Sequence, residues 1–285
     1  MSATLANRTG RSTLARALVL RAAGTNCDRE AVLALELAGA RAELLHLYRL
    51  LEQPARLDEA EVLVLPGGFS YGDYVAAGRL FAHELRQRLA DALVGFVARG
   101  GCVLGICNGF QVLVETGLLE GPAVARGERP RALALENNAS NQFECRWVLL
   151  ETLPSACAFL EPGERIPVPV AHGEGRLAVR DAATLAALYQ HKQVALRYVD
   201  PDAAAGADPK RVPYPACPNG SLDAIAGVCD ATGRVLGLMP HPERNVRVFH
   251  HPQWTRMSGR REGEGLRVFR RLVACAQSSI TPARV

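Results

Sequence analysis

Three short segments carry residue types that chemistry could use. The first is Gly105-Ile106-Cys107-Asn108-Gly109-Phe110-Gln111, between a run of apolar residues and a helical pattern. A thiol with glycine two positions before and two after has the form of a nucleophile elbow. The spacing has a steric cause. A side chain presented at a sharp strand-to-helix turn sits on strained backbone, and neighbouring chain passes close on both sides. The turn also sets the thiol at a helix N-terminus, where the positive end of the peptide dipoles favours a thiolate. The other reading is a buried structural cysteine beside two packing glycines. Cys102, in the preceding apolar run, is expected in the core.

The second segment is Met239-Pro240-His241-Pro242-Glu243-Arg244, directly after another apolar run. On an extended chain, residues two apart face the same way, and the flanking prolines favour extension. Glu243 could then hold one imidazole nitrogen of His241 while the other faces a thiol. A histidine and a glutamate at this spacing can equally be a surface pair. An upstream elbow turns the pair into a triad expectation, with Cys107 as nucleophile, His241 as base and Glu243 as its orienter. The third segment is Pro66-Gly67-Gly68-Phe69-Ser70-Tyr71-Gly72-Asp73-Tyr74. It reads either as a glycine-rich turn or as half of an oxyanion hole, with the N–H of Gly68 and that of Asn108 aimed at one carbonyl oxygen. It lacks the Lys and Ser/Thr of a phosphate-binding P-loop.

The elements that must position these segments follow from apolar patterning. Residues 17–20, 43–48, 62–65 and 102–106 read as buried strands, with helical spacing over 27–39, 77–99 and 108–116. Continuous apolar strands alternating with helices predict an α/β fold, a mostly parallel central sheet covered on both faces. Short β-like runs dominate the second half, at 145–151, 168–170, 176–179, 193–199, 223–229 and 235–239, before a final helix near 262–276. Residues 120–131 and 200–221 read as loops. The expected organisation is a short disordered tail over 1–16, one domain over 17–276 and a C-terminal tail over 277–285.

Composition narrows the function classes. The chain has 285 residues, 48% hydrophobic and 22% charged, which is the balance of a soluble globular protein. A net charge of +4 is too mild to argue for nucleic acid. Only Lys192 and Lys210 of the 33 basic residues are lysine, and the arginine excess is read as composition rather than as a phosphate-binding surface. The eight cysteines contain no CxxC pair, so neither a zinc site nor a disulfide framework is expected. His250-His251 resembles a metal pair only superficially, and no metal is expected. No apolar run approaches the roughly 20 residues of a membrane span, and the first residues lack the apolar core of an export signal. The expected location is the cytoplasm.

Together, the P-G-G, G-x-C-x-G-x-Q and H-P-E segments resemble those of the class I (triad) glutamine amidotransferases, whose domain is flavodoxin-like. Gly24-Thr25-Asn26-Cys27-Asp28-Arg29-Glu30, Gly67 to Tyr74, His172-Gly173-Glu174-Gly175-Arg176 and Pro218-Asn219-Gly220-Ser221 are similar to the glutaminase subunits of phosphoribosylformylglycinamidine synthase. The resemblance covers residues 16–276 and fits less well at the N-terminal tail and at 201–216. It implies that Gln111 lies near bound glutamine and that His172 and Glu174 lie beside its pocket, although the last two also read as a loop pair. It implies no cofactor in this chain. ATP and magnesium would belong to a large synthetase subunit, with or without a small third subunit, that receives ammonia and amidates formylglycinamide ribonucleotide in purine synthesis. Two alternatives remain: a free-standing γ-glutamyl hydrolase or cysteine peptidase on the same fold, and an inactive amidotransferase-like binding module.

Overall fold

Val62–Leu65 is four residues long and buried on both faces, so it can only be an interior strand. In the computed structural model, which describes residues 14–280, it is β3 of a nine-stranded sheet. The first half contains β1 (Arg16–Arg21), α1 (Asp28–Leu37), β2 (Arg41–His46), α2 (Leu47–Glu52), β3, α3 (Arg79–Ala98), β4 (Cys102–Ile106), α4 (Asn108–Thr116) and α5 (Pro122–Ala125). The second half contains β5 (Leu133–Asn137), β6 (Glu144–Thr152), β7 (Arg165–His172), β8 (Glu174–Val179), α6 (Ala182–Gln190), β9 (Val194–Val199), β10 (Ile225–Cys229), β11 (Val235–Leu238) and α7 (Leu266–Ile280). The sheet order is β2-β1-β3-β4-β11-β10-β9-β6-β7, and β5 pairs with β8 in a separate ribbon.

The sheet has two characters. From β2 through β1, β3 and β4 to β11 the pairing is parallel, which is the doubly wound order of flavodoxin-like folds. From β11 through β10, β9 and β6 to β7 it is antiparallel. β1, β3 and β4 are the buried strands expected at 17–20, 62–65 and 102–106, whereas the edge strand β2 spans 41–46 rather than 43–48 and is mostly half-buried. The antiparallel extension takes most of the short runs of the second half; the run at 176–179 is β8 of the separate ribbon, and the run at 235–239 is β11, which joins the parallel half through β4. Every parallel strand releases its chain at the same sheet edge, and ligands bind in such sheets at the carboxyl ends of the strands. The loops after β1, β3, β4 and β11 therefore bring residues 22–28, 66–74, 107 and 239–244 together.

The expected outer boundaries shift slightly. β1 begins at Arg16, inside the stretch read as an N-terminal tail, whose residues 1–13 lie outside those described. α7 continues to Ile280, four residues into the expected C-terminal tail, because nothing in its sequence stops the helix at 276. Within the 120–131 loop the chain makes one short helix, α5, started by Pro122 at its first turn. Among the described residues, no helix is long and apolar enough to cross a membrane.

Candidate active site

Cys107 joins β4 to α4 with φ 52° and ψ −108°, a conformation that non-glycine residues rarely adopt. Close packing on both sides maintains it. A Cβ on Gly109 would lie 1.8 Å from the carbonyl oxygen of Leu65, and one on Gly105 would lie 2.6 Å from that of Gly109. The G-x-C-x-G spacing is thus a clearance requirement between β3, β4 and α4. The Cys107 side chain is buried, and its thiol donates to the carbonyl of Ala171 at 3.5 Å. Asn108 opens α4, so its N–H has no acceptor within the helix.

His241 follows β11, and its N–H donates to the carbonyl of Pro169 at 2.9 Å. Pro242–Arg244 forms a 3₁₀ turn rather than the extended segment expected from the prolines. Pro242 stands at the first position of that turn, where its fixed φ suits a helix and its missing N–H costs nothing. The turn still brings Glu243 back to the histidine: Nδ1 of His241 lies 2.5 Å from Oε1 of Glu243. Both side chains are essentially excluded from water, at 2% and 0% exposure. Burial pushes the imidazole pKa down, but the Glu243 carboxylate and the sulfurs of Cys107 and Cys27 outweigh it and hold the pKa well above the ordinary value. A proton on His241 is therefore favoured, with a fixed carboxylate on one nitrogen and sulfur on the other side.

Cys27 was not singled out by its sequence context, yet it reaches this centre. It is the residue before α1, its thiol donates to Oδ1 of Asn26 at 3.1 Å, and Nη2 of Arg244 donates to its sulfur at 3.0 Å. Arg244 also lies 3.8 Å from Glu30. Gly67 lines the space between these groups: a Cβ there would lie 2.7 Å from Cε1 of His241 and 3.2 Å from Sγ of Cys27. Cys27, His241 and Glu243 could offer one metal-ligating atom each within 4.8 Å of one another, but Glu243 already holds the imidazole.

A pocket of about 170 Å³ opens beside Cys107, lined among others by Gly68, Asp73, Gln111, His172 and Glu174. One wall is a hydrogen-bonded chain. The Asn108 amide donates to Asp73 at 3.2 Å and to Oε1 of Gln111 at 2.9 Å, and the Gln111 amide donates to the carbonyl of Glu174 at 2.5 Å. The N–H of Ser70 donates back to Oδ1 of Asn108 at 3.2 Å. Burial raises the pKa of Asp73, the hydrogen bonds from Gly78 and Asn108 oppose this, and the charge of Glu174 adds to it. His172 forms the other side. The Asn138 amide donates to the carbonyls of Gln142 and His172, so its Oδ1 must accept from Nδ1–H of His172, at 3.0 Å. That fixes the tautomer and leaves Nε2 a buried acceptor without a partner. Burial, then the charge of His241, lowers the His172 pKa to about 4, so the ring is neutral.

The geometry brings Cys107, His241, Glu243, Gly68, Asn108, Gln111, His172 and Glu174 to one place. His172 and Glu174 face the pocket and do not pair with each other as a surface ion pair would. His250 and His251 lie elsewhere: each accepts a local backbone N–H through Nδ1, and the His251 ring meets that of Trp147 at a tilt of 57°. Sequence reasoning missed Cys27, Asp73 and Asn138. Asp73 stood inside the quoted glycine-rich segment, and its chemical type could have marked it; Cys27 and Asn138 matter only through contacts made by folding.

Known proteins resemble this chain over most of its length. Residues 14–275 match the CobB/CobQ-like glutamine amidotransferase domain. The phosphoribosylformylglycinamidine synthase subunit PurQ of Dehalococcoides mccartyi is 42% identical over 263 residues, covering 92% of this chain and 98% of that protein. The subunit of the same name from Treponema denticola is 45% identical, covering 81% and 88%. A chain in the structure of PurLQS from Thermotoga maritima superposes with a TM-score of 0.67 at 35% identity, covering 92% of this chain and 98% of that one. The chain belongs to the CobB/CobQ-like glutamine amidotransferase family, in the branch of the PurQ subunits of phosphoribosylformylglycinamidine synthase.

Proposed function

We propose that this chain hydrolyses glutamine to glutamate and ammonia, and that the ammonia passes to a synthetase subunit. That subunit uses ATP to convert formylglycinamide ribonucleotide to formylglycinamidine ribonucleotide. The PurQ relatives support the partner and the product. The observation that carries the chemistry is the buried His241–Glu243 pair, held at 2.5 Å beside the thiol of the strained Cys107 turn. We read residues 17–276 as one amidotransferase domain built around it.

In this reading the Cys107 thiol proton passes to His241, and the thiolate attacks the side-chain carbonyl carbon of glutamine while the carbonyl electron pair moves onto oxygen. The N–H groups of Gly68 and Asn108 hold that oxyanion, each contributing about 3 kcal/mol if it resembles measured cases. The tetrahedral intermediate collapses, the carbon–nitrogen bond breaks, and the His241 imidazolium gives its proton to the departing nitrogen. Ammonia leaves and a γ-glutamyl thioester remains on Cys107. His241, now neutral, takes a proton from water, whose oxygen attacks the thioester and releases glutamate and the sulfur. Glu243 keeps the ring oriented and compensates its charge. Gln111, Glu174 and His172 shape the pocket for the amino-acid end of glutamine, with the bare Nε2 of His172 available to accept a hydrogen bond.

A diazoketone analogue of glutamine tests the assignment when incubated with the chain in complex with its synthetase. Peptide mapping is expected to find one adduct, on Cys107, and protection by excess glutamine. An adduct on Cys27 instead, or none on Cys107, would contradict the assignment.

A further inference from the structure

At the other end of β4 from Cys107 lies a second pair of thiols. Cys102 opens β4 and is fully buried; Cys275 lies on α7 and is partly exposed. The Cys102 thiol donates to the Cys275 sulfur at 3.5 Å, although the residues stand 173 apart in sequence. Arg234, just before β11, places Nη1 3.6 Å from the Cys102 sulfur and 3.8 Å from that of Cys275. The same nitrogen donates to the carbonyl of Gly100 at 2.7 Å, which anchors the guanidinium over the pair. Nothing in glutamine hydrolysis uses these groups.

From this geometry we propose that Cys102 and Cys275 form an oxidation site, in which Cys275 is the attacking sulfur and Cys102 the resolving one. The Cys102 hydrogen bond and the Arg234 charge lower the Cys275 pKa against the opposing effect of burial, so the partly exposed sulfur is also the one that favours thiolate. The co-reactant is a hydroperoxide. The Cys275 thiolate attacks the peroxide oxygen, the O–O bond breaks, and with one proton taken up the products are a sulfenic acid and an alcohol, or water from hydrogen peroxide. Cys102 sulfur then attacks the sulfenic sulfur; an S–S bond forms, the S–O bond breaks, and the thiol proton leaves with the hydroxyl as water. The two thiols lose two electrons, which the peroxide takes. The sulfurs must close from 3.5 Å to the bonded distance of about 2.05 Å. The product would fasten α7 covalently to the strand that ends in the Cys107 turn, reversibly under thiol reductants.

The test uses the full chain, reduced, then treated with one equivalent of hydrogen peroxide, blocked with maleimide after denaturation and mapped cysteine by cysteine. The expected result is loss of maleimide at both Cys102 and Cys275, a linked peptide pair joining them, and recovery of both labels after dithiothreitol. Cys275→Ala, at a partly exposed helix position, is expected to leave Cys102 fully labelled. Cys102→Ala is expected to stop Cys275 at a sulfenic acid trapped by dimedone. Full labelling of both thiols once other cysteines have oxidised would overturn the proposal. So would linkage of Cys275 to Cys145 of another molecule in place of Cys102.

Discussion

Replacing Glu243 with glutamine changes one atom type in a site that water does not reach. The imidazole nitrogen and the carboxylate oxygen stand 2.5 Å apart, and the two side chains are 2% and 0% exposed, so no solvent can take over the lost charge. For unit charges about 4 Å apart at an effective dielectric near 20, the interaction is about 4 kcal/mol. The imidazolium forms the stronger part of its interaction with Glu243 whenever it holds the proton destined for ammonia. Losing that interaction removes about a factor of 10³ from the rate, at 1.36 kcal/mol per decade. Glutamine can also turn its amide nitrogen toward Nδ1, which selects the tautomer with Nδ1 bare and adds to the loss. The assay is steady-state, glutamine-dependent amidation by the reconstituted complex. The account expects kcat to fall by about 10³ with KM within about threefold of the parent, because the carboxylate does not touch substrate. Ammonia-dependent amidation should be unchanged, showing that the variant folds and docks. A glutamine-dependent kcat within about tenfold of the parent would refute the reasoning.

Two further outcomes follow from neighbouring contacts. Gly67→Ala places a methyl 2.7 Å from Cε1 of His241 and 3.2 Å from Sγ of Cys27, so the ring must shift. A displacement of that order is expected to cost about 10² in glutamine-dependent kcat while sparing the ammonia-dependent rate, and loss of both would instead mean a folding defect. His172 supplies the pH test. Its folded pKa is about 4 against an ordinary value of 6.5, so the unfolded chain binds the proton first as pH falls. Stability present above about pH 6.5 is lost progressively down to about pH 4, by up to about 3 kcal/mol for this group. His241 has the opposite sign, its contribution being complete below the ordinary value and lost as pH rises through the raised one. Urea midpoints at pH 7 and pH 4.5 should therefore fall less for His172→Gln than for the parent, and equal falls would remove His172 as the cause.

The parts of the site legible in the sequence are those that local sterics enforce. Gly105 and Gly109 mark the Cys107 turn because a Cβ at either would meet backbone, that of Gly109 or that of Leu65 on β3, and the spacing that records this clearance is short enough to see in the chain. His241 and Glu243 are two apart, so their meeting was readable even though a 3₁₀ turn, not an extended chain, produces it. Contacts made only by folding were not readable. The Arg244–Cys27 bond spans 217 positions, and although the Gly24 to Glu30 segment stands out by resemblance, nothing in it assigns the Cys27 sulfur a contact. The fold shows the same division. β3 and β4 are apolar on both faces and coincide with their patterns. α6 fully buries only Leu188, with Leu185 and Tyr189 partly packed on the core, so its stripe is short, although Asp181 caps it by accepting from the N–H of Thr184. The strand pattern over 43–48 takes in the first two residues of α2 because Leu47 continues its apolar run; the break is made by His46, whose ring accepts from the N–H of Tyr48. β5 exposes most of its length and pairs only with β8, so no alternation marks it.

The central claim is that Cys107 makes ammonia here for use elsewhere. The most direct measurement is amidation of formylglycinamide ribonucleotide by a complex carrying Cys107→Ala, with glutamine and with ammonium salt as alternative nitrogen donors. Alanine removes the sulfur that forms the thioester and changes few other atoms, so shape and docking should survive. The expected result is no glutamine-dependent product above background, and a rate with ammonium equal to that of the parent complex. Continued use of glutamine by the variant would contradict the role of Cys107. Failure of the parent complex to amidate this substrate with either donor would contradict the purine assignment.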